Sequence, residues 1–249
     1  MRAVILAAGR GKRMGALTRD LPKPMIEVAG RPVIEHIILS IARAGVAEFV
    51  IVTRYLGEVI EARLGDGSGL GVKIDYVRQS ERYGTGAALD EARRFAAAGP
   101  LMMVYGDIIT PAVNYQGAIR VFEEFSPSAV MTLNWMDDPW AGGAVHVDDS
   151  GLVRAVIEKP SKGQVVSHWN SAGIFVFDPV VFEYLARLQP SERGEYELPD
   201  ALNAMIRDGL QIRPYYLQGE WRDVGTPDDI AAAERILREE EGIDDVELR

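Results

Sequence analysis

The chain has 249 residues, no cysteine, 47% hydrophobic and 26% charged residues, and a formal net charge of −10. That length suits one compact α/β unit, and the lack of cysteine excludes disulfides, thiolate metal sites and a thiol nucleophile. The acidity disfavours general binding to nucleic acid or to an anionic membrane, both of which are polyanions.

No apolar run approaches the roughly 20 residues that span a bilayer. Ala3 to Ala8 is too short for the apolar part of a signal peptide and leads directly into the charged stretch Gly9 to Arg13. A cytoplasmic protein is expected, with no nucleic-acid or membrane partner.

In chain order, Ala3 to Leu6 reads as a buried strand, followed by a glycine- and arginine-rich loop that reaches Pro24. Pro32 opens a helix with Val33, Ile37, Ile38 and Ile41 at helical spacing, ending near Gly45. Phe49 to Val52 reads as strand, Tyr55 to Leu64 as helix, Val72 to Val77 as strand and Gly84 to Ala97 as helix. Leu101 to Tyr105 is a continuous apolar strand ending in Gly106-Asp107, and Val113 to Phe125 is the next helix.

This alternation predicts a Rossmann-like α/β fold, a mixed but mostly parallel sheet with helices on both faces. Ligands of such sheets bind beyond the carboxyl ends of the strands, where Gly9 to Arg13 and Asp107 both fall.

The second half is less regular. Ala129 to Met136, Ala144 to Val147, Leu152 to Ile157, Ile174 to Phe177 and Gln211 to Leu217 read as strands. Helices are expected from Pro179, over Leu198 to Arg207 and over Pro227 to Glu240, before a mostly acidic tail at 241–249. A single domain is expected, with a nucleotide-binding half over about 1–125 and a substrate-binding half over about 126–240 that share one sheet.

The loop after the first strand holds Arg10, Lys12, Arg13, Arg19 and Lys23 against one acid, Asp20. In so acidic a chain this density points to a polyphosphate site, where glycines admit phosphate oxygens to the backbone and cations neutralise them. Two familiar phosphate loops fail on spacing. Gly11-Lys12 is followed by Arg13 rather than Ser or Thr, and Met14 stands where a dinucleotide fingerprint needs glycine. Pro22 and Pro24 bracket Lys23, which places that lysine on a stiff segment suited to a point-charge contact with phosphate.

The run Ala3-Val-Ile-Leu-Ala-Ala-Gly-Arg-Gly-Lys-Arg-Met14, then Leu17-Thr18, Leu21-Pro-Lys-Pro-Met25 and Gly30-Arg-Pro32, resembles the sugar-1-phosphate nucleotidyltransferases, or NDP-sugar pyrophosphorylases. The likeness continues at Gln79, Gly84-Thr-Gly-Ala87, Gly106-Asp107, Gly143, Glu158-Lys-Pro160, Ser171-Ala-Gly173, Glu195-Tyr-Glu-Leu-Pro-Asp200 and Trp221-Arg-Asp-Val-Gly-Thr-Pro227. Most members have Thr where Lys12 stands, and many carry Asn in the slot of Ser171, whereas here Asn170 precedes it.

The resemblance implies a reaction in which NTP and a sugar 1-phosphate give an NDP-sugar and pyrophosphate. It implies nucleotide contacts from Leu6, Ala8, Gly9, Gly11, Lys12, Gln79, Gly84 and Thr85, and sugar-phosphate contacts from Gly143, Glu158, Lys159, Asn170 and Ser171. Arg13, Lys23 and Asp107 are the implied catalytic residues, and Asp107 and Asp223 the implied ligands of Mg²⁺, a hard cation that takes carboxylate oxygens.

The alternatives are a non-catalytic nucleotide-sugar-binding regulator, a phosphocholine cytidylyltransferase-like enzyme and a glycosyltransferase. The last is disfavoured because the chain has no Asp-x-Asp. Gln79 suits a pyrimidine or guanine, with the lean towards a pyrimidine. The chain ends soon after the late helix, so no β-helix domain is expected, and a homo-oligomer is left open. His36, His146 and His168 lack metal-ligand spacing and read as structural or exposed.

Overall fold

The computed structural model describes residues 1–9, 11, 14, 18–161 and 167–241. Arg10, Lys12, Arg13 and nearly all of the acidic tail lie outside the described residues.

In chain order the elements are β1 (Arg2–Ala7), β2 (Glu27–Val28), β3 (Arg31–Pro32), α1 (Val33–Arg43), β4 (Glu48–Thr53), α2 (Gly57–Leu64), β5 (Lys73–Arg78), α3 (Thr85–Glu91), α4 (Arg93–Ala96), β6 (Leu101–Tyr105) and β7 (Ile108–Ile109). Then follow α5 (Val113–Phe125), β8 (Ala129–Trp135), β9 (Gly143–Val147), β10 (Val153–Glu158), β11 (Trp169–Phe177), α6 (Val181–Leu185), α7 (Leu198–Arg207), β12 (Ile212–Tyr216), β13 (Arg222–Asp223) and α8 (Pro227–Glu241).

Among the described residues a nine-stranded sheet runs β10-β9-β11-β6-β1-β4-β5, with β8 on the other side of β11 and β12 beside β8. The strands β6, β1, β4 and β5 are mutually parallel, and β11 joins antiparallel to β6, β8 and β9. The sheet is mixed, as the sequence predicts, and both halves of the chain contribute to it.

Alternation along the strands sorts the core into two layers. Ala3, Ile5 and Ala7 of β1 face the cluster containing α1, α5 and α8, while Val4 faces the cluster containing α3, α6 and α7. The helix α1 shows how sequence makes this packing. Pro32 caps its start, where a missing N–H costs nothing. Val33, Ile34, Ile37, Ile38 and Ile41 then form one stripe at most 1% exposed.

The stretch expected as one helix from Gly84 to Ala97 is broken at Ala92 into α3 and α4. No glycine or proline marks the break. The Arg93 guanidinium there turns to Asp90 and to the carbonyl of Phe182 on α6, a tertiary contact that local pattern cannot reveal.

Three features position the cleft. First, β4 lies on one side of β1 and β6 on the other, so the chain order reverses at β1 and opens a crevice at its carboxyl end. The Gly106 N–H donates to the Leu6 carbonyl and ties the ends of β1 and β6 together.

Second, the register of β11 shifts between Ser171 and Phe175. Gly173 sits within this bulge at φ +78°, and a Cβ there would lie 2.5 Å from the Tyr105 ring, so only glycine fits.

Third, β7 and β13 form a two-stranded antiparallel ribbon pairing Asp223 with Ile108. The buried Asn114 on α5 anchors it. Its amide donates to Thr110 Oγ1 and the Gln218 carbonyl, and its oxygen accepts from the Gln218 N–H.

Candidate active site

A cleft of about 690 Å³ opens at this crevice, within the range of small-molecule sites. One wall comes from the ends of β1 and β6 and from the turn before α3, the other from β9, β10, β11 and the segment before α7. Leu6, Ala8, Gly9, Lys23, Gln79, Gly84, Thr85 and Asp107 line the first wall. Gly143, Glu158, Lys159 and Ser171 line the second, and Asp223 enters from the ribbon.

Two other expected site residues do not reach the cleft lining. Gly11 packs against the stem of Lys23, where an added Cβ would lie 2.9 Å from the Lys23 Cβ. Asn170 is fully buried behind Gly142, and both ends of its amide lack hydrogen-bond partners among the described residues. Lys12 and Arg13 lie outside the described residues.

Lys23 is the centre of the charge arrangement. It opens a 3-10 turn, Lys23–Met25, after Pro22, and its side chain is only 9% exposed. Its Nζ donates to Asp107 Oδ2 at 2.5 Å and to Asp223 Oδ1 at 2.6 Å. The two oxygens are therefore no further apart than the sum of those distances, although the residues come from distant parts of the chain. Burial alone would lower the Lys23 pKa, but the two carboxylates outweigh it and hold the ammonium above its ordinary value.

Two bare carboxylates this close would repel each other. The ammonium between them removes that strain, a pairing the sequence did not reveal.

On the nucleotide side, Gln79 is buried and its amide donates to the carbonyls of Arg82 and Gly84, both at 3.1 Å. The donor end of Gln79 thus braces the turn, which leaves the amide oxygen for a ligand. Gly84 lies at φ +130°, and a Cβ there would fall 2.4 Å from the Tyr196 carbonyl oxygen. That close approach joins the two walls. The Tyr196 N–H donates to the Tyr83 carbonyl, and the Tyr196 carbonyl accepts from the Gly86 and Ala87 N–H groups.

On the opposite wall, burial pushes the Glu158 carboxyl above the usual carboxylate range. Arg193 and Lys159 pull against that rise, and Glu197 adds to it. Lys159 holds a left-handed backbone, φ +46°, with its N–H on the Gly142 carbonyl at 3.1 Å. A non-glycine residue in this region is strained, a common state at ligand sites.

Arg193 lines the cleft, 2.6 Å from Glu197 and 3.6 Å from Glu158. Sequence reasoning missed it. The available signal was a lone cation three residues before Tyr196 in an otherwise acidic segment. Trp221, whose Nε1 donates to the Ala172 carbonyl at the bulge of β11, clamps the ribbon to the sheet.

The crevice holds a lysine–aspartate cluster on one side and a second set of charged groups, Glu158, Lys159, Arg193 and Glu197, across the cleft. The chain belongs to the nucleotidyl transferase family, whose model matches residues 2–240. Over 243 residues it is 35% identical to the UTP–glucose-1-phosphate uridylyltransferase AglF of Haloferax volcanii, covering 96% of this chain and 98% of that protein. Over 239 residues it is 31% identical to a glucose-1-phosphate thymidylyltransferase of Streptomyces griseus, covering 96% of this chain and 66% of that protein.

Of several further curated relatives the chain spans about half the length. A UDP-glucose pyrophosphorylase complexed with UDP-glucose shares the fold, with a TM-score of 0.84 at 20% identity over 96% of this chain and 98% of the other. The chain is therefore an enzyme of the sugar-1-phosphate nucleotidyltransferase class. No described helix is long and apolar enough to cross a membrane.

Proposed function

We propose that this cleft binds an NTP along the first wall and a sugar 1-phosphate along the second, and joins them as an NDP-sugar. A sugar-phosphate oxygen attacks the α-phosphorus, the bond from that phosphorus to the β-phosphate oxygen breaks, and pyrophosphate leaves. The nucleophile is already an anion, so no general base is required. The barrier lies in bringing two polyanions together and in the charge that develops on the leaving group. Both call for fixed positive charge.

Lys23 meets the α-phosphate, and Lys159 with Arg193 holds the sugar phosphate. Arg13 stabilises the departing pyrophosphate. Glu158 accepts hydrogen bonds from sugar hydroxyls, beside Ser171 and the open floor at Gly143. The Oγ of Ser171 is buried and has no partner among the described residues, so a sugar hydroxyl would satisfy it.

Asp107 and Asp223 are hard oxygen donors that would hold Mg²⁺, a cation that favours oxygen ligands. When bound, the ion supplies positive charge at the α-phosphate. The observation that carries this reading is the joint approach of Asp107 and Asp223 to Lys23 at the end of β6.

A pyrimidine NTP is favoured. The Gln79 oxygen can accept from a base N–H, and the two named relatives transfer uridylyl and thymidylyl groups. The test is a matrix of NTPs against hexose 1-phosphates with Mg²⁺, read by pyrophosphate release. The expected result is release with UTP or dTTP and a hexose 1-phosphate together, and none when either is omitted. Release independent of the sugar phosphate would overturn the reading.

A further inference from the structure

The Lys23 ammonium occupies the position between Asp107 and Asp223 that a shared cation would take, at 2.5 and 2.6 Å from their oxygens. The Lys23 backbone has little freedom. Pro22 and Pro24 flank the residue, Gly11 packs on its stem, and its carbonyl accepts the Ile26 N–H at 3.1 Å. An ammonium and a divalent cation cannot share the same carboxylate oxygens at these distances, because they exclude and repel each other.

We propose that Lys23 is an internal counter-ion that closes the Asp107–Asp223 pair to divalent cations until a triphosphate draws the ammonium away. This rests on the reading above, in which these aspartates are the metal ligands and Lys23 meets the α-phosphate.

A cation arriving alone must strip the buried ammonium of both partners, and an unpaired buried charge is costly. When a triphosphate arrives too, its oxygens become the new partners of Lys23, and the aspartates are released for the cation. Cation and nucleotide therefore enter together, and each raises the affinity for the other by the same factor.

The test is Mn²⁺ binding to the whole protein without nucleotide, followed by electron paramagnetic resonance. Lys23→Met is expected to bind Mn²⁺ at least about tenfold more tightly than wild type, within the usual range of site–site coupling. Lys23→Arg, which keeps the charge, is expected to stay close to wild type. Lys23→Gln serves if the methionine variant does not fold.

The wild-type melting temperature is expected not to respond to Mn²⁺ alone. Lys23→Met binding no more tightly than wild type overturns the proposal, as does an Asp107-dependent rise in the wild-type melting temperature with Mn²⁺ alone. Adding Asp107→Asn to Lys23→Met separates the two readings. Loss of the tight site confirms the aspartates as ligands. Tight binding that survives places the cation elsewhere and removes both the ligand assignment and this inference.

Discussion

In the proposed reaction Lys23, Lys159 and Arg13 act on different phosphates, and each substitution should leave a different kinetic trace. Lys23→Ala should damage use of the NTP, whereas Lys159→Ala should raise the KM for the sugar phosphate. Steady-state kinetics with each substrate varied in turn checks this, and the same defect towards the same substrate would remove the two-wall assignment. Arg13→Ala should lower kcat by about 10²-fold, the scale of one electrostatic donor, with little change in sugar-phosphate binding. A variant with near-normal turnover would take Arg13 out of the account.

Glu158 adds a pH signature. Burial raises its pKa in the fold, so the folded protein takes up this proton at a higher pH than the unfolded chain does. The charged form costs stability above the folded pKa, and that cost fades as the pH falls through it. Glu158→Gln should therefore melt higher than wild type at neutral pH, with the gap closing in mild acid. Melting curves across that range test the sign, and a gap that widens on acidification contradicts it.

The sequence made Lys23, Lys159 and Asp107 legible because their motifs are short and local. It did not show Lys23 lying between two aspartates, or Arg193 reaching Glu158, since those contacts join segments far apart in the chain.

Among the elements, one of the smallest matters most to the site. The ribbon of β7 and β13 has two residues per strand, too few for any periodicity to announce it, yet it sets Asp223 beside Asp107. The Val224 N–H on the Asp107 carbonyl at 2.8 Å and the Asn114 bonds hold it in place. Asn114→Ala removes the acceptor of the Gln218 N–H and the donor to Thr110 Oγ1 and the Gln218 carbonyl, a loss of about 0.5–1.5 kcal/mol per bond. It should also weaken divalent-cation binding in the presence of an NTP analogue, because Asp223 loses its support. Calorimetric titration of the variant checks this, and cation affinity equal to wild type would show that the ribbon stands without Asn114.

The longer elements were legible for the opposite reason. α5 and α7 match their expected ranges because their apolar stripes run over several turns. β11 begins at Trp169 rather than Ile174, since the bulge at Gly173 interrupts the alternation that would have revealed its first half. The core stripe of α1 gives a packing test free of site chemistry. Ile38→Ala should cost about 2–5 kcal/mol while leaving KM for both substrates unchanged below the melting transition.

At the scale of the molecule, a net charge of −10 surrounds a cleft that must attract two polyanions. In the proposed reaction the cations gathered at the cleft decide where phosphate binds, against the average field of the protein. The order reversal at β1 supplies the crevice, and the antiparallel strands of the second half supply its far wall. The parallel half was readable from strand–helix alternation. The way β11 joins the two halves, pairing with β6, β8 and β9, was not, because strand order across a sheet leaves no local trace in the sequence.

In the proposed reaction a phosphate oxygen of the sugar 1-phosphate attacks the α-phosphorus. The most direct test of this step is phosphorus NMR of the products made from a sugar 1-phosphate carrying ¹⁸O on all its phosphate oxygens. Every labelled oxygen is expected to remain in the NDP-sugar, one of them bridging the two phosphorus atoms, and the released pyrophosphate is expected to be unlabelled. Label in inorganic phosphate or in the released pyrophosphate would mean that a different bond breaks, and would contradict nucleotidyl transfer in this cleft.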